Sequence, residues 1–203
     1  HTNFGNAESM VRWHLKDDDR ADYDFTIFDR YLDLALKEMG KPKLVAVCLW
    51  DIFMVPGGEW SEDWWNKLSD QQKQNSYFKS LKERGDLRRA IQGEHGNGPP
   101  VTVVDPNTKE TATVYLPSLA DPRSKTLWQP LLSQIRQRMA KRGLEDVLML
   151  GMLSDARPTR EEAAVIHEAS SGLPWASHSH SGKFARGGQT PKLHGIAPIV
   201  YDA

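Results

Sequence analysis

Cysteine is nearly missing from this chain: Cys48 is the one thiol among 203 residues. That excludes an internal disulfide and any zinc site built on several thiolates. Cys48 itself lies in an apolar run and reads as an inert buried thiol. An excess of one charge is missing too. Lys plus Arg number 26 against 27 for Asp plus Glu, a net charge of -1, so no broad basic field for nucleic acid exists. The longest strongly apolar run, Leu44 to Trp50, is far too short to cross a bilayer, and no membrane partner is expected. No Gly-x-Gly-x-x-Gly follows a strand-like segment, and neither Gly-x-x-x-x-Gly-Lys nor a Gly-x-Ser-x-Gly elbow occurs. Dinucleotide binding and serine-triad hydrolysis are disfavoured, and no cofactor is expected. Repeats and low-complexity tracts are absent. So are an initiator Met, a signal peptide and a charged tail; both ends read as cuts through a longer polypeptide, whose remainder would be a partner.

What the chain does have is enough apolar material for a core, 39% hydrophobic residues, and an unusual aromatic order: Trp 7, Phe 6, Tyr 5. An indole suits a core and the face of a sugar ring alike. Phe28, Tyr31, Leu32, Ala35 and Met39 recur at helical spacing, so Asp24 to Met39 reads as a helix closed by Gly40 and Pro42. The run that follows, Leu44 to Trp50, fits a strand buried on both faces, as in a parallel sheet. Residues 52–120 interrupt the rhythm as a large insertion. Ser61 to Leu81 reads as weak helices, Gly93 to Pro100 as loop, and 101–104 with 111–116 as a surface hairpin around Asp105-Pro106-Asn107. Regularity returns with a helix from Thr126 to Arg142, Pro130 near its first turn. A strand from Glu145 to Leu153, a helix from Thr159 to Ser170 with a Thr159/Glu162 capping box, a strand from Leu173 to His180 and another over 196–201 complete the order. The alternation predicts one α/β unit over 1–203: a parallel sheet with helices, either doubly wound or part of a (β/α)8 TIM-like barrel.

Both architectures place function at the carboxyl ends of the strands. Trp50-Asp51 closes the first, Asp155 and Arg157 follow the second, and His178 and His180 close the third. His178 and His180, two apart on a strand, face the same way and suit hydrogen bonding to a substrate or a metal pair with Asp155 or Asp51. The alternative is a loop edge satisfied by water and backbone; no recognised ligand spacing backs the metal. Arg157 suits a carboxylate or phosphate, or else pairs with Glu161 or Glu162. Asp17-Asp18-Asp19 lacks the glycine and distal glutamate of a calcium loop and reads as a solvated turn. In the insertion, Trp64 and Trp65 cannot both face one core from a helix; they suit a sugar platform or a hydrophobic anchor.

The pattern Phe28-Asp29-Arg30-Tyr31-Leu32-Asp33-Leu34-Ala35, Lys41-Pro42-Lys43 and Trp50-Asp51 resembles a helix–strand unit of bacterial glycoside-hydrolase-like barrels. The 101–116 hairpin resembles such a barrel more closely, with Leu127-Trp128, Lys141-Arg142-Gly143-Leu144, Leu150-Gly151, Ser154-Asp155, Arg157-Pro158-Thr159, Trp175, His178 and His180. The resemblance is to the catalytic domain of glycoside hydrolase family 123, the β-N-acetylgalactosaminidase-like barrels, and it covers most of residues 24–180. It implies substrate-assisted hydrolysis by an adjacent Asp-Glu pair and an extracytoplasmic, secreted or periplasmic location. Asp155 matches the Asp; Ala156 stands where the Glu belongs, which is a departure from the pattern. The resemblance thus implies a carbohydrate ligand, with Asp155, His178 and His180 as catalytic candidates. Asp51, Trp50, Arg157, Trp175 and Trp64 would line the substrate. The alternatives are a non-catalytic carbohydrate-binding or interaction module on a degenerate barrel, and a metal-dependent hydrolase using His178 and His180.

Overall fold

A computed structural model describes residues 8–16, 19–50, 62–96, 98–152 and 160–176. Its elements in chain order are β1 (Arg12–Leu15), β2 (Ala21–Asp24), α1 (Thr26–Met39), β3 (Val45–Trp50), α2 (Glu62–Asn66), α3 (Asp70–Gln74) and α4 (Ser76–His95). They continue with β4 (Pro100–Val104), β5 (Thr111–Tyr115), α5 (Pro122–Lys141), β6 (Leu148–Met152) and α6 (Arg160–Ala169). The class is mixed α/β, as expected. Among the described residues the strands divide into two sheets: a parallel pair β3-β6, and a four-stranded sheet in the order β2-β1-β4-β5. No closed barrel is present among them.

The parallel pair has the predicted origin. Val45↔Leu148, Ala46↔Met149, Val47↔Leu150 and Cys48↔Gly151 stand in register, with an irregularity before Trp50↔Met152. Its second edge carries a parallel bridge from Leu150 to Trp175, whose neighbours complete the pattern: Leu150 N–H donates to the Pro174 carbonyl at 2.8 Å, and Ala176 N–H to the Leu150 carbonyl at 2.7 Å. Strand periodicity sends Leu49, Leu148 and Leu150 into the core. Ala46, Cys48, Met149 and Gly151 occupy the other face. Cys48 departs from the sequence expectation, because it is exposed at the residue level; the surrounding protein still pushes its thiol upward by desolvation. A methyl group added to Gly151 would lie 3.1 Å from Ala46 Cβ and 3.3 Å from Cys48 Sγ, so this face is closely fitted.

The four-stranded sheet is the main correction to the sequence reading. The 101–116 hairpin is present, β4 against β5 from Pro100↔Tyr115 to Val104↔Thr111, but it does not lie loose on a surface. β4 pairs in parallel with β1 through Trp13↔Val103, and β1 pairs antiparallel with β2. Val101, Thr102 and Val104 are consequently buried. Just ahead of β1, Ser9 N–H donates to Thr102 Oγ1 at 2.7 Å and Thr102 N–H returns to Ser9 Oγ at 3.0 Å.

The helices locate the core. In α1, Asp24 Oδ1 accepts the Thr26 N–H at 2.8 Å, and Gly40 at φ 72 ends the helix by donating to the Leu36 carbonyl. In α5, Asp121 serves as N-cap by accepting from Arg123 N–H, and Pro122 takes the first helical position. The helix begins four residues earlier than predicted, so Pro130 falls inside it rather than near its first turn, leaving one backbone bond unmade. α4 runs to His95, into the stretch expected to be loop, and Glu145–Val147 forms a 3-10 turn instead of the start of β6. Buried residues of both sheets and of α1, α5 and α6 form one continuous core. Trp13 stands edge-on to Trp128 at 5.4 Å between ring centroids, and the Tyr23 hydroxyl donates to the Leu127 carbonyl, which fastens the four-stranded sheet to α5. α1 and α5 are clamped by charge: Arg138 Nε to Asp29 at 3.1 Å, Arg142 Nη1 to Asp29 at 3.0 Å, and Arg142 Nε to Asp33 at 2.7 Å.

Candidate functional site

Three segments run parallel and side by side: β3, β6 and the chain through Trp175. Their carboxyl ends therefore share one edge of the sheet, because parallel pairing fixes direction as well as register. The described chain stops there at Trp50, Met152 and Ala176. Asp51, Asp155, Arg157, His178 and His180, the polar residues that the sequence places just beyond those ends, lie outside the described residues, as do Ala156, Trp60, Thr159 and residues 196–201.

The described site residues fall differently. Trp50 is the last residue of β3, at the shared edge. Trp175, read from the sequence as a sugar contact, is only 5% exposed and belongs to the core. It bridges Leu150, so strand alternation turns it toward the apolar side with Leu148, and no open ring face is left for a sugar. Trp64 lies in α2, half-buried, 6.0 Å from Phe78 and 6.4 Å from Trp65 between ring centroids. Neither indole of that pair reaches full burial, which accords with adjacent helix positions being unable to face one core together. Lys82 Nζ stands 5.7 Å over the Trp65 ring and also pairs with Asp86 at 2.7 Å.

Buried charge near the shared edge is scarce among the described residues. Glu162, in the first turn of α6, is 6% exposed, on the helix face that also buries Ile166 and Ala169. As third residue of the helix it has the position a capping box gives its glutamate. No group of three or more His, Cys, Asp or Glu side chains suited to a metal occurs among the described residues. No described helix is long and apolar enough to cross a membrane.

A cleft of about 720 Å³ that sequence reasoning did not anticipate opens where β1 and β4 part beyond Trp13↔Val103, with His14, Lys16, Asp22, Asp105 and Glu110 among its walls. Its charges are largely engaged with one another or with backbone. Lys16 holds Asp22 at 2.8 Å, and Asp105 accepts the N–H groups of Asn107 and Thr108, bonds that keep its carboxyl below the usual range. The cleft is the mouth of two hairpins.

The model of the glycoside hydrolase 123 catalytic domain matches residues 2–194. A solved family 123 glycoside hydrolase from Clostridium perfringens, presented in terms of glycolipid glycan hydrolysis, is similar over 86% of this chain. The identity is 10% and the TM-score 0.47. This chain spans 24% of the length of that protein. Among curated proteins nothing matches. A match of the family model across nearly the whole sequence settles descent: the chain belongs to glycoside hydrolase family 123, in the part that forms its catalytic domain.

Proposed function

We propose that this chain forms the substrate-holding edge of a (β/α)-barrel glycosidase acting on N-acetylhexosaminides. The observation that carries the reading is the family match over residues 2–194. The parallel ends of β3, β6 and the Trp175 segment support it, since barrel enzymes build their sites at that edge. Two further features favour a barrel. Ile27, Tyr31 and Leu34 leave a second apolar stripe of α1 exposed, 40%, 57% and 56%, where a barrel sets a neighbouring helix. The Ala46–Cys48 face of β3 is the one a barrel turns inward.

In this reading Asp155 orients the 2-acetamido group of the substrate. The acetamido oxygen bonds to the anomeric carbon as the glycosidic bond breaks, the departing oxygen takes a proton from an acid, and water then opens the cyclic intermediate. With alanine at position 156, the acid comes from His178 or His180. Trp50, Trp64, Asp51 and Arg157 line the sugar, and a secreted or periplasmic location accompanies the reading. Ala156 is also the specific feature that favours a second reading, a carbohydrate-binding module without turnover.

One set of assays separates them. Hydrolysis of an aryl β-N-acetylgalactosaminide is followed with and without EDTA, in the unaltered chain and in Asp155→Ala. Saturation-transfer NMR with N-acetylgalactosamine runs alongside. Turnover that survives EDTA and disappears in Asp155→Ala is the expected result. Binding to the acetamido methyl without turnover establishes the second reading, and turnover abolished by EDTA points to a metal held by His178 and His180. No binding and no turnover from a folded sample overturns all three.

A further inference from the structure

We infer that the outer edge of β5 is a docking edge for a second copy of this chain, the two β5 strands pairing antiparallel about Thr113 so that their four-stranded sheets join into one. Among the described residues the β2-β1-β4-β5 sheet ends in two open edges, and they are not alike. β2 presents Ala21-Asp22-Tyr23-Asp24, and two carboxylates in so short a strand repel a second strand of the same sequence. β5 carries no charge and no proline, and its register against β4 runs from Val104↔Thr111 to Pro100↔Tyr115 without a bulge. Charge, proline and bulges are the devices by which sheets guard their edges, and β5 has none of them.

The hydrogen bonds to β4 settle which backbone groups face outward. Asp105 N–H donates to the Glu110 carbonyl at 3.0 Å, and Leu116 N–H to the Pro99 carbonyl at 3.0 Å, one at each end of β5. In an antiparallel ladder every second residue turns its backbone to the partner, so Glu110, Ala112, Val114 and Leu116 serve β4. The N–H and C=O of Thr111 and Thr113 point the other way. No other strand lies along that side among the described residues, and Thr111, Ala112 and Thr113 are exposed. Such an edge accepts extended chains in general; its own sequence selects itself. A twofold axis through Thr113 sets Thr113 opposite Thr113, Thr111 opposite Tyr115 and Ala112 opposite Val114. Threonine with threonine, and an aromatic ring with a β-branched residue, are among the cross-strand pairs that stabilise sheets. Charge agrees with this register. Glu110 meets Leu116 rather than another carboxylate, and Glu8, which Thr111 Oγ1 reaches at 3.4 Å, is neutralised by Arg12 at 2.6 Å. One strand from each copy makes a contact smaller than that of a permanent dimer, so the association is weak and reversible.

Sedimentation velocity on the full chain, from micromolar to millimolar concentration, tests this. The weight-average mass should rise from that of one chain toward that of two. Hydrogen exchange reads the same event at the edge itself: the Thr113 amide should exchange freely in dilute samples and be slowed about tenfold where the dimer predominates. Thr113→Lys sets like charges opposite each other, and Thr113→Pro removes an outward N–H that β4 does not use. Both variants should stay monomeric, and Thr113→Lys should melt with the unaltered chain. A mass that remains that of one chain at every concentration overturns the inference, as does a dimer that survives either substitution. A Thr113 amide already protected in the dilute monomer means that another segment of this chain lies on the edge, which overturns it too.

Discussion

At Gly98 the backbone comes so close to its neighbour that a methyl group would sit 1.6 Å from the Leu116 carbonyl oxygen. Only a missing side chain permits that approach, next to the bond from Leu116 N–H to the Pro99 carbonyl at 3.0 Å. Gly98→Ala should therefore lose about 3 kcal/mol, read from denaturant midpoints. Tyr23 makes a prediction of a different kind. Burial, helped by the charge of Asp22, pushes its phenol from 10.0 up to about 12. The folded state keeps a proton that the unfolded state releases, so the stabilisation is complete below pH 10 and is lost as pH rises through 12. Thermal melts across that interval should slope down more steeply for the unaltered chain than for Tyr23→Phe. Residues of these two kinds were unequally legible in the sequence. Gly40 stood two residues before a proline at the end of a periodic helix and announced itself as a terminator. Gly98 sat among other loop residues, and nothing local marks a glycine whose need arises from a carbonyl eighteen positions away.

Among elements, legibility followed burial of a single regular face. α1 and α5 each turn one repeating set of apolar residues inward, which the 3.6-residue period revealed, while β3 was marked by its continuous apolar run and α6 by the capping-box pattern at its start. β1 and β2 are four residues each, with Arg12, His14, Asp22 and Asp24 alternating against apolar partners, and their existence depends on pairing to β4. That pairing is made across the sequence, so a local window could not find it. α4 was seen only as a weak helix because its apolar residues keep no face. The start of α5 carries its own local mark, Asp121-Pro122, a cap followed by a first-position proline, ahead of the apolar stripe that locates the rest of the helix. Asp121→Ala should cost about 1 kcal/mol in equilibrium unfolding, because the Arg123 N–H loses its acceptor.

Among the described residues, the two sheets share their core with α5, and Trp13, at 2% exposure, is the largest fully buried side chain of the join. Circular dichroism and tryptophan fluorescence should therefore report one coincident transition, and Trp13→Ala should lower its stability by about 4 kcal/mol. The carboxyl edge shared by β3, β6 and the Trp175 segment was legible as a location, since parallel strands announce their ends, whereas the burial of Trp175 was not. The pairing of β3 with β6 carries one more consequence, for the time course of folding. The two strands adjoin in space, yet residues 51–147 lie between them in the chain. Closing so long a loop sacrifices chain entropy before any strand contact repays it, and folds dominated by distant pairings assemble slowly. The local pieces, the β4–β5 hairpin and the α5–β6–α6 succession, can form without waiting. In stopped-flow experiments Ile135→Ala should thus retard refolding, whereas Val47→Ala should act mainly by accelerating unfolding. A chain released in order from the ribosome would hold β3 unpaired until β6 emerged, and that interval is when its apolar strand is most open to the wrong neighbour.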